Sequence, residues 1–202
     1  MCKIKPVLLI CVCFFCVACV NSPPKKPNDI CAIFKEKRGW YKDTRRAAKR
    51  WQGDIPVIMS FIHQESRFVA NAKPPRKKIL WIFPGPRLSD SYGYAQAKKA
   101  TWNGYQSASG RWGADRNDFD DASDFVAWYN YQSRRRLNIA KRDAKRLYLA
   151  YHEGRGGYKR GTYKKKPWLI KVADKVSRQA ERYRQQLKKC EKDLQSSWWW
   201  PF

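Results

Sequence analysis

Seven cysteines are spread very unevenly along this chain. Five lie within the first 19 residues, and only Cys31 and Cys190 remain, close to the two edges of everything that follows. In an oxidising compartment the economical reading is one disulfide between them, which requires any fold of the body to bring its two ends together. Closing so long a loop stabilises by roughly 4–5 kcal/mol in the chain-entropy treatment. Two unrelated free thiols are the alternative. With no histidine beside either cysteine, zinc ligation is not expected.

The start of the chain speaks to compartment. Two lysines within residues 1–5 precede an unbroken apolar run from Val7 to Val20. A membrane-spanning helix wants about 20 apolar residues. The run is shorter and gives way to Asn21-Ser22-Pro23-Pro24, so a secretory signal fits better. Its end, Cys16-Val17-Ala18-Cys19, resembles a bacterial lipobox, although Cys16 stands where Leu is usual. That resemblance implies a signal peptide over residues 1–18 and lipidation of Cys19. With Val20 rather than Asp next, it also implies delivery to the periplasmic face of the outer membrane. Residues 19–29, rich in proline and lysine, read as a stiff tether.

Charge is the second constraint. The 202 residues carry 43 Lys and Arg against 17 Asp and Glu, a formal net charge of +26. Ten Trp and a 43% hydrophobic fraction exclude a disordered basic chain and suit one domain with a sizeable core. The expected partners are polyanions. Export argues against nucleic acid and favours anionic envelope polymers, although Arg134-Arg135-Arg136 and the stretch from Lys159 to Lys166 could in principle grip phosphates. The same residues also read as a solubilising surface.

From Ile30 to about Lys188 the periodicity is mainly helical. Asp43-Thr44 is expected to open a basic helix through about Trp51, and Asp54 with Pro56 to open the next. Further helices are expected over Ala97–Ser109, Asp118 to about Ala140, Arg142–His152, and Trp168 to about Lys189. Between Lys73 and Ser91, four prolines and one glycine break the period, which gives a long loop or a short hairpin around Ile79–Phe83. Residues 191–202, ending Trp198-Trp199-Trp200-Pro201-Phe202, read as an aromatic tail suited to a membrane interface or to packing on the domain.

Three short segments carry chemistry. In Phe61-Ile62-His63-Gln64-Glu65-Ser66, helical spacing puts Glu65 on the apolar face, near the helix C-terminus. Burial and the helix dipole both disfavour its ionised form, as a general acid requires. His63 falls on another face and reads as structural. In Gly93-Tyr94-Ala95-Gln96, the glycine allows close backbone approach and Gln96 offers a donor and an acceptor, although a loop-to-helix junction explains both. In Ala150-Tyr151-His152-Glu153-Gly154, a helix ends in glycine with Tyr151 available to a sugar, although the glycine could be no more than a cap.

Taken in order, Glu65-Ser66, Gly93-Tyr94-Ala95-Gln96 and Ala150-Tyr151-His152-Glu153-Gly154 resemble the lytic transglycosylase domain of the soluble lytic transglycosylase type, within the lysozyme-like superfamily. That family carries Glu-Ser, then Gly-Leu-Met-Gln, then Ala-Tyr-Asn-Ala-Gly. The resemblance implies a mainly α, lysozyme-like α+β fold over residues 30–190, with the loop or hairpin between the catalytic helix and the next. It implies cleavage of peptidoglycan between N-acetylmuramic acid and N-acetylglucosamine, with Glu65 as the one acid and base and a 1,6-anhydro product. Ser66, Gly93, Tyr94, Gln96, Tyr151 and Glu153 inherit substrate-contacting positions. No cofactor is implied, and no His/Cys/Asp cluster has metal-ligand spacing.

Several positions depart from the family. Gly-Tyr-Ala-Gln alters the apolar floor, and the loop after Glu65 is longer and carries Arg76, Lys77 and Lys78. Glu153 adds a carboxylate that, if it faced the cleft, would position water for a lysozyme-like hydrolysis. A non-catalytic envelope protein binding anionic polymer is the reading from another functional class.

Overall fold

The computed structural model describes residues 22–79 and 83–196. The apolar leader, Cys19 and the tryptophan-rich end of the tail lie outside the described residues. Seven α-helices are described: α1 (Ile30–Glu36), α2 (Arg38–Arg50), α3 (Ile55–Ser66), α4 (Lys99–Ser109), α5 (Phe119–Leu137), α6 (Ala144–Lys159) and α7 (Pro167–Ser196). An antiparallel hairpin, β1 (Arg76–Ile79) and β2 (Phe83–Arg87), falls between α3 and α4, within the loop where the sequence placed it. Its register pairs Arg76 with Arg87 and Ile79 with Phe83. Pro84 and Pro86 cannot donate to a ladder, which suits a ribbon that has no third strand among the described residues.

The helix at the centre is α3. Asp54 caps it by accepting from the Val57 amide at 3.2 Å, and Pro56 occupies its first turn, where no amide partner is lost. Val57, Ile58, Phe61 and Ile62 are at most 1% exposed, so the helix is gripped on several sides, by α2, α5 and α7. It stops abruptly because Arg67 and Phe68 take left-handed conformations in succession (φ 51° and 65°). Such geometry is costly for residues with a Cβ. Burying Phe68 completely, 5.7 Å from the Trp40 ring, offsets that cost and places Glu65 at the last turn.

Boundaries moved where long-range packing outweighed local signals. Helix α2 begins at Arg38 rather than Asp43, because Trp40 and Tyr41 bury in its first turn. Thr44 sits inside it and donates its hydroxyl to the Trp40 carbonyl at 2.7 Å. Helix α4 begins at Lys99 instead of Ala97. Helix α6 passes His152 and runs to Lys159, broken at Gly154 (φ 71°, ψ 156°). Only glycine adopts that conformation readily. Helix α7 continues to Ser196, so residues 191–196 belong to the domain and not to a tail. There Gln195 donates to the Tyr41 hydroxyl at 3.2 Å.

The two ends meet as the cysteine positions demanded. Cys31 of α1 and Cys190 of α7 form a disulfide across 159 residues of sequence. The segment read as a tether is partly docked beside it. The Tyr183 hydroxyl donates to the Pro27 carbonyl, Gln186 donates to Asn28, and Pro24 is buried.

Candidate active site

A cleft of about 580 Å³ opens where the end of α3, the turn before α4, the middle of α5 and the break in α6 converge. Glu65, Gln96, Tyr151 and Glu153 line it, together with Phe125, Tyr129 and His152. Four residues singled out from three separate stretches of sequence are thus brought to one surface.

Glu65 sits among aromatic rings and retains some solvent access. Burial pushes its carboxyl up to about 7 from an ordinary 4.5, and a hydrogen bond with Tyr148 opposes the rise without cancelling it. Around neutrality the group is therefore divided between acid and base, so it can both give and take a proton. Tyr148 was not among the expected site residues. The available signal was its spacing, since Tyr148 and Tyr151 stand three apart on α6 and share a face.

Tyr151 does not present a free hydroxyl. It donates to the Ala95 carbonyl at 2.6 Å, and its ring packs edge-on to Phe61 (5.4 Å) and Tyr129 (5.0 Å). Its visible work is to lock α6 to the turn carrying Gln96 and to form one wall of the cleft. The amide nitrogen of Gln96 donates to the carbonyls of Ala72 and Gly93, each at 2.9 Å. That pairing fixes the orientation of the amide, since only the NH₂ end can face two carbonyls. Its oxygen is left as the acceptor available to the cleft among the described residues. Gln96 itself is left-handed (φ 48°) and not a helix cap, a position that falls to Lys98.

Three expected contact residues stand behind the cleft wall instead of lining it. Ser66 is buried and donates to the Ile62 carbonyl one turn back, at 3.2 Å. Tyr94, 2% exposed, packs edge-on to Trp40 (5.8 Å) and Phe119 (5.5 Å) as a core residue. Gly93 permits close approach, but to protein. At φ +78° an added Cβ would lie 1.9 Å from the Arg116 carbonyl oxygen. Gly93→Ala should accordingly cost about 3 kcal/mol of stability, from backbone strain and forced displacement. Denaturant unfolding checks this, and an unchanged midpoint would contradict it.

Glu153 reaches the cleft margin with its carboxylate already engaged. Thr162 donates to it, Lys166 Nζ lies at 2.8 Å and His152 Nδ1 at 3.0 Å. Burial alone would raise this carboxyl, but the hydrogen bonds from Lys166, Thr162 and His152 outweigh it and hold it at about 2. So acidic a group is a poor base for water. His63 lies off the cleft, 6.2 Å from the Tyr183 ring, and burial pushes its imidazole down to about 4. Elsewhere, the carboxylates of Asp118, Asp120 and Asp121 approach one another. Arg111 engages Asp120 and Asp121, Asp118 caps α5, and none of the three lines the cleft.

No curated relative and no solved structure matches this chain. A family match does exist, to the family described as "Transglycosylase SLT domain", over residues 7–190. With a helical domain of the expected order, and the Glu-Ser helix end, the Gln turn and the Ala-Tyr segment around one cleft, the chain belongs to the transglycosylase SLT domain family.

Proposed function

We propose that this protein is a peptidoglycan lytic transglycosylase in which Glu65 alone serves as acid and base. The observation that carries the proposal is a single carboxyl raised to about 7 in a cleft whose other carboxylate, Glu153, is tied down by three donors. Two-carboxylate glycosidases need a second free group as nucleophile or base, and Glu153 does not supply it.

In the proposed reaction the Glu65 carboxyl donates its proton to the oxygen linking N-acetylmuramic acid to N-acetylglucosamine. The bond from the anomeric carbon to that oxygen breaks, and the N-acetylglucosamine leaves with a new 4-hydroxyl. Glu65, now a carboxylate, accepts the proton of the muramic 6-hydroxyl as that oxygen bonds to the anomeric carbon. The product is a 1,6-anhydro ring, Glu65 ends protonated as it began, and no water is consumed. Gln96 Oε1 would accept from a sugar hydroxyl or amide at the cleft floor. The aromatic walls, Phe125, Tyr129 and Tyr151, restrict water around the carboxyl.

The proposed setting is the periplasmic face of the outer membrane, with a lipid anchor on Cys19 and the glycan strands as partner. The net charge of +26 supports attraction to anionic envelope polymers. So does a second hollow of about 570 Å³, whose lining includes Arg135, Arg136, Lys159, Arg160 and Lys164 and no acid.

The pH profile tests the acid role. The working free enzyme carries Glu65 protonated, so kcat/KM on isolated sacculi should fall as pH rises through about 7. A rate that stays level from about pH 5 to about 9 would contradict it.

A further inference from the structure

Among the described residues, the large apolar side chains left in solvent are Leu88, Trp112 and Trp168, the last 54% exposed. A single exposed tryptophan needs no explanation by itself. Trp168 differs because of where it is held. Its ring lies 5.2 Å from that of His152, edge to face, and His152 lines the cleft that contains Glu65. The exposed indole therefore continues the cleft wall outward past His152.

The position is also built. Trp168 follows Pro167 at the start of α7, directly after a short 3₁₀ turn (Thr162–Lys165). Both Thr162 and Lys166 on this stretch are fastened to the carboxylate of Glu153, whose side chain is 5% exposed and also holds His152. One buried acid on α6 thereby sets the His152 ring and the segment carrying Trp168 against the same edge of the cleft. Leu169, next in the chain, is fully buried and prevents that segment from rolling away.

An indole face in water beside a carbohydrate cleft matches one ligand chemistry well. A pyranose presents apolar C–H groups on its ring face and hydroxyls around its rim. It can cover an indole while its rim remains hydrated or bonds to an imidazole. We propose that Trp168, with His152, forms a stacking subsite for an N-acetylhexosamine residue of the glycan strand, beyond the residues bracketing the cleaved bond. This inference rests on the glycan-cleaving reading of the cleft. It gives Glu153 a positioning role in place of the water-activating one its sequence position invited.

The test uses the full chain carrying Glu65→Gln, so that ligands survive, and β-1,4-linked N-acetylglucosamine oligomers as probes in calorimetry. Adding Trp168→Ala should weaken binding of the hexamer about tenfold, which is about 1.4 kcal/mol. The trimer should change little, and Trp168→Phe should recover most of the lost affinity, because a benzene ring still offers a face. Equal hexamer affinity with and without Trp168→Ala overturns the subsite while leaving the cleft's assignment intact. Loss of affinity in both Trp168 variants together with a lowered melting temperature marks a structural role and overturns it as well. If the Glu65→Gln parent binds no oligomer of any length, the glycan reading itself fails, and the subsite with it.

Discussion

Glu65→Gln should reduce release of peptidoglycan fragments by at least about a thousandfold, while making the protein more stable above neutral pH. On the proposed mechanism, the catalytic loss follows from removing the one group that donates and then accepts the proton. General acid–base contributions run to about 10²–10⁴, and the proposal assigns both steps to one residue. The gain in stability follows from the same burial. In the folded protein Glu65 titrates near 7, and in the unfolded chain near its ordinary 4.5. Between those values the native state holds more protons than the unfolded state, so stability falls as pH rises through the window. Above about 7 the folded protein bears the full cost of an ionised carboxylate among aromatic rings, on the order of 3 kcal/mol. A glutamine of the same size never ionises. Thermal unfolding should therefore show the variant several degrees more stable near pH 8 and indistinguishable from wild type near pH 4. A variant destabilised at both pH values would mean that Glu65 is structural.

Replacing Cys31 and Cys190 together by serine should lower stability by roughly 4–5 kcal/mol, or about 10–20 °C in melting temperature for a domain of this size. The bond ties α1 to the far end of α7 and closes nearly the whole folded chain. Catalysis should survive in the molecules that remain folded. Cys190 lies 22 residues along α7 from Trp168 at the cleft's edge, about 33 Å of helix. At low temperature the double variant should thus cleave sacculi near the wild-type rate. A melting temperature that does not move on reduction or substitution would show that α1 and α7 hold together without it. The buried contacts of Ile30, Ile33 and Phe34 would then carry that end of the molecule.

Much of the site was legible in the sequence because its key residues sit on strong local signals. Asp54, Pro56 and the spacing of Ile58, Phe61 and Ile62 defined α3, and that spacing alone placed Glu65 inward near its end. The disulfide was legible from cysteine positions, and the hairpin from proline and glycine between helical stretches. What escaped depends on contacts distant in sequence. The bond between Tyr148 and Glu65 spans two helices, and the three-residue spacing of Tyr148 from Tyr151 is a hint of a shared face but not of the partner. Lys166 claims Glu153 from 13 residues away, which turned a candidate catalytic group into a clamp. Tyr94 looked like a ligand-facing residue in a short motif, yet the rings of Trp40 and Phe119 draw it into the core. Gly93 had its conformational role correctly placed with the wrong neighbour, since the approaching backbone is that of Arg116.

The identity of the product tests the central claim most directly. Purified peptidoglycan should be digested with the wild-type chain and with Glu65→Gln, and the released muropeptides weighed by mass spectrometry. One acid with no second free carboxylate predicts fragments ending in 1,6-anhydro-N-acetylmuramic acid, lighter by one water than hydrolysis products, formed by the wild type alone. Reducing ends in their place would contradict it, because water would then have attacked the anomeric carbon and some group other than Glu65 would have had to activate it.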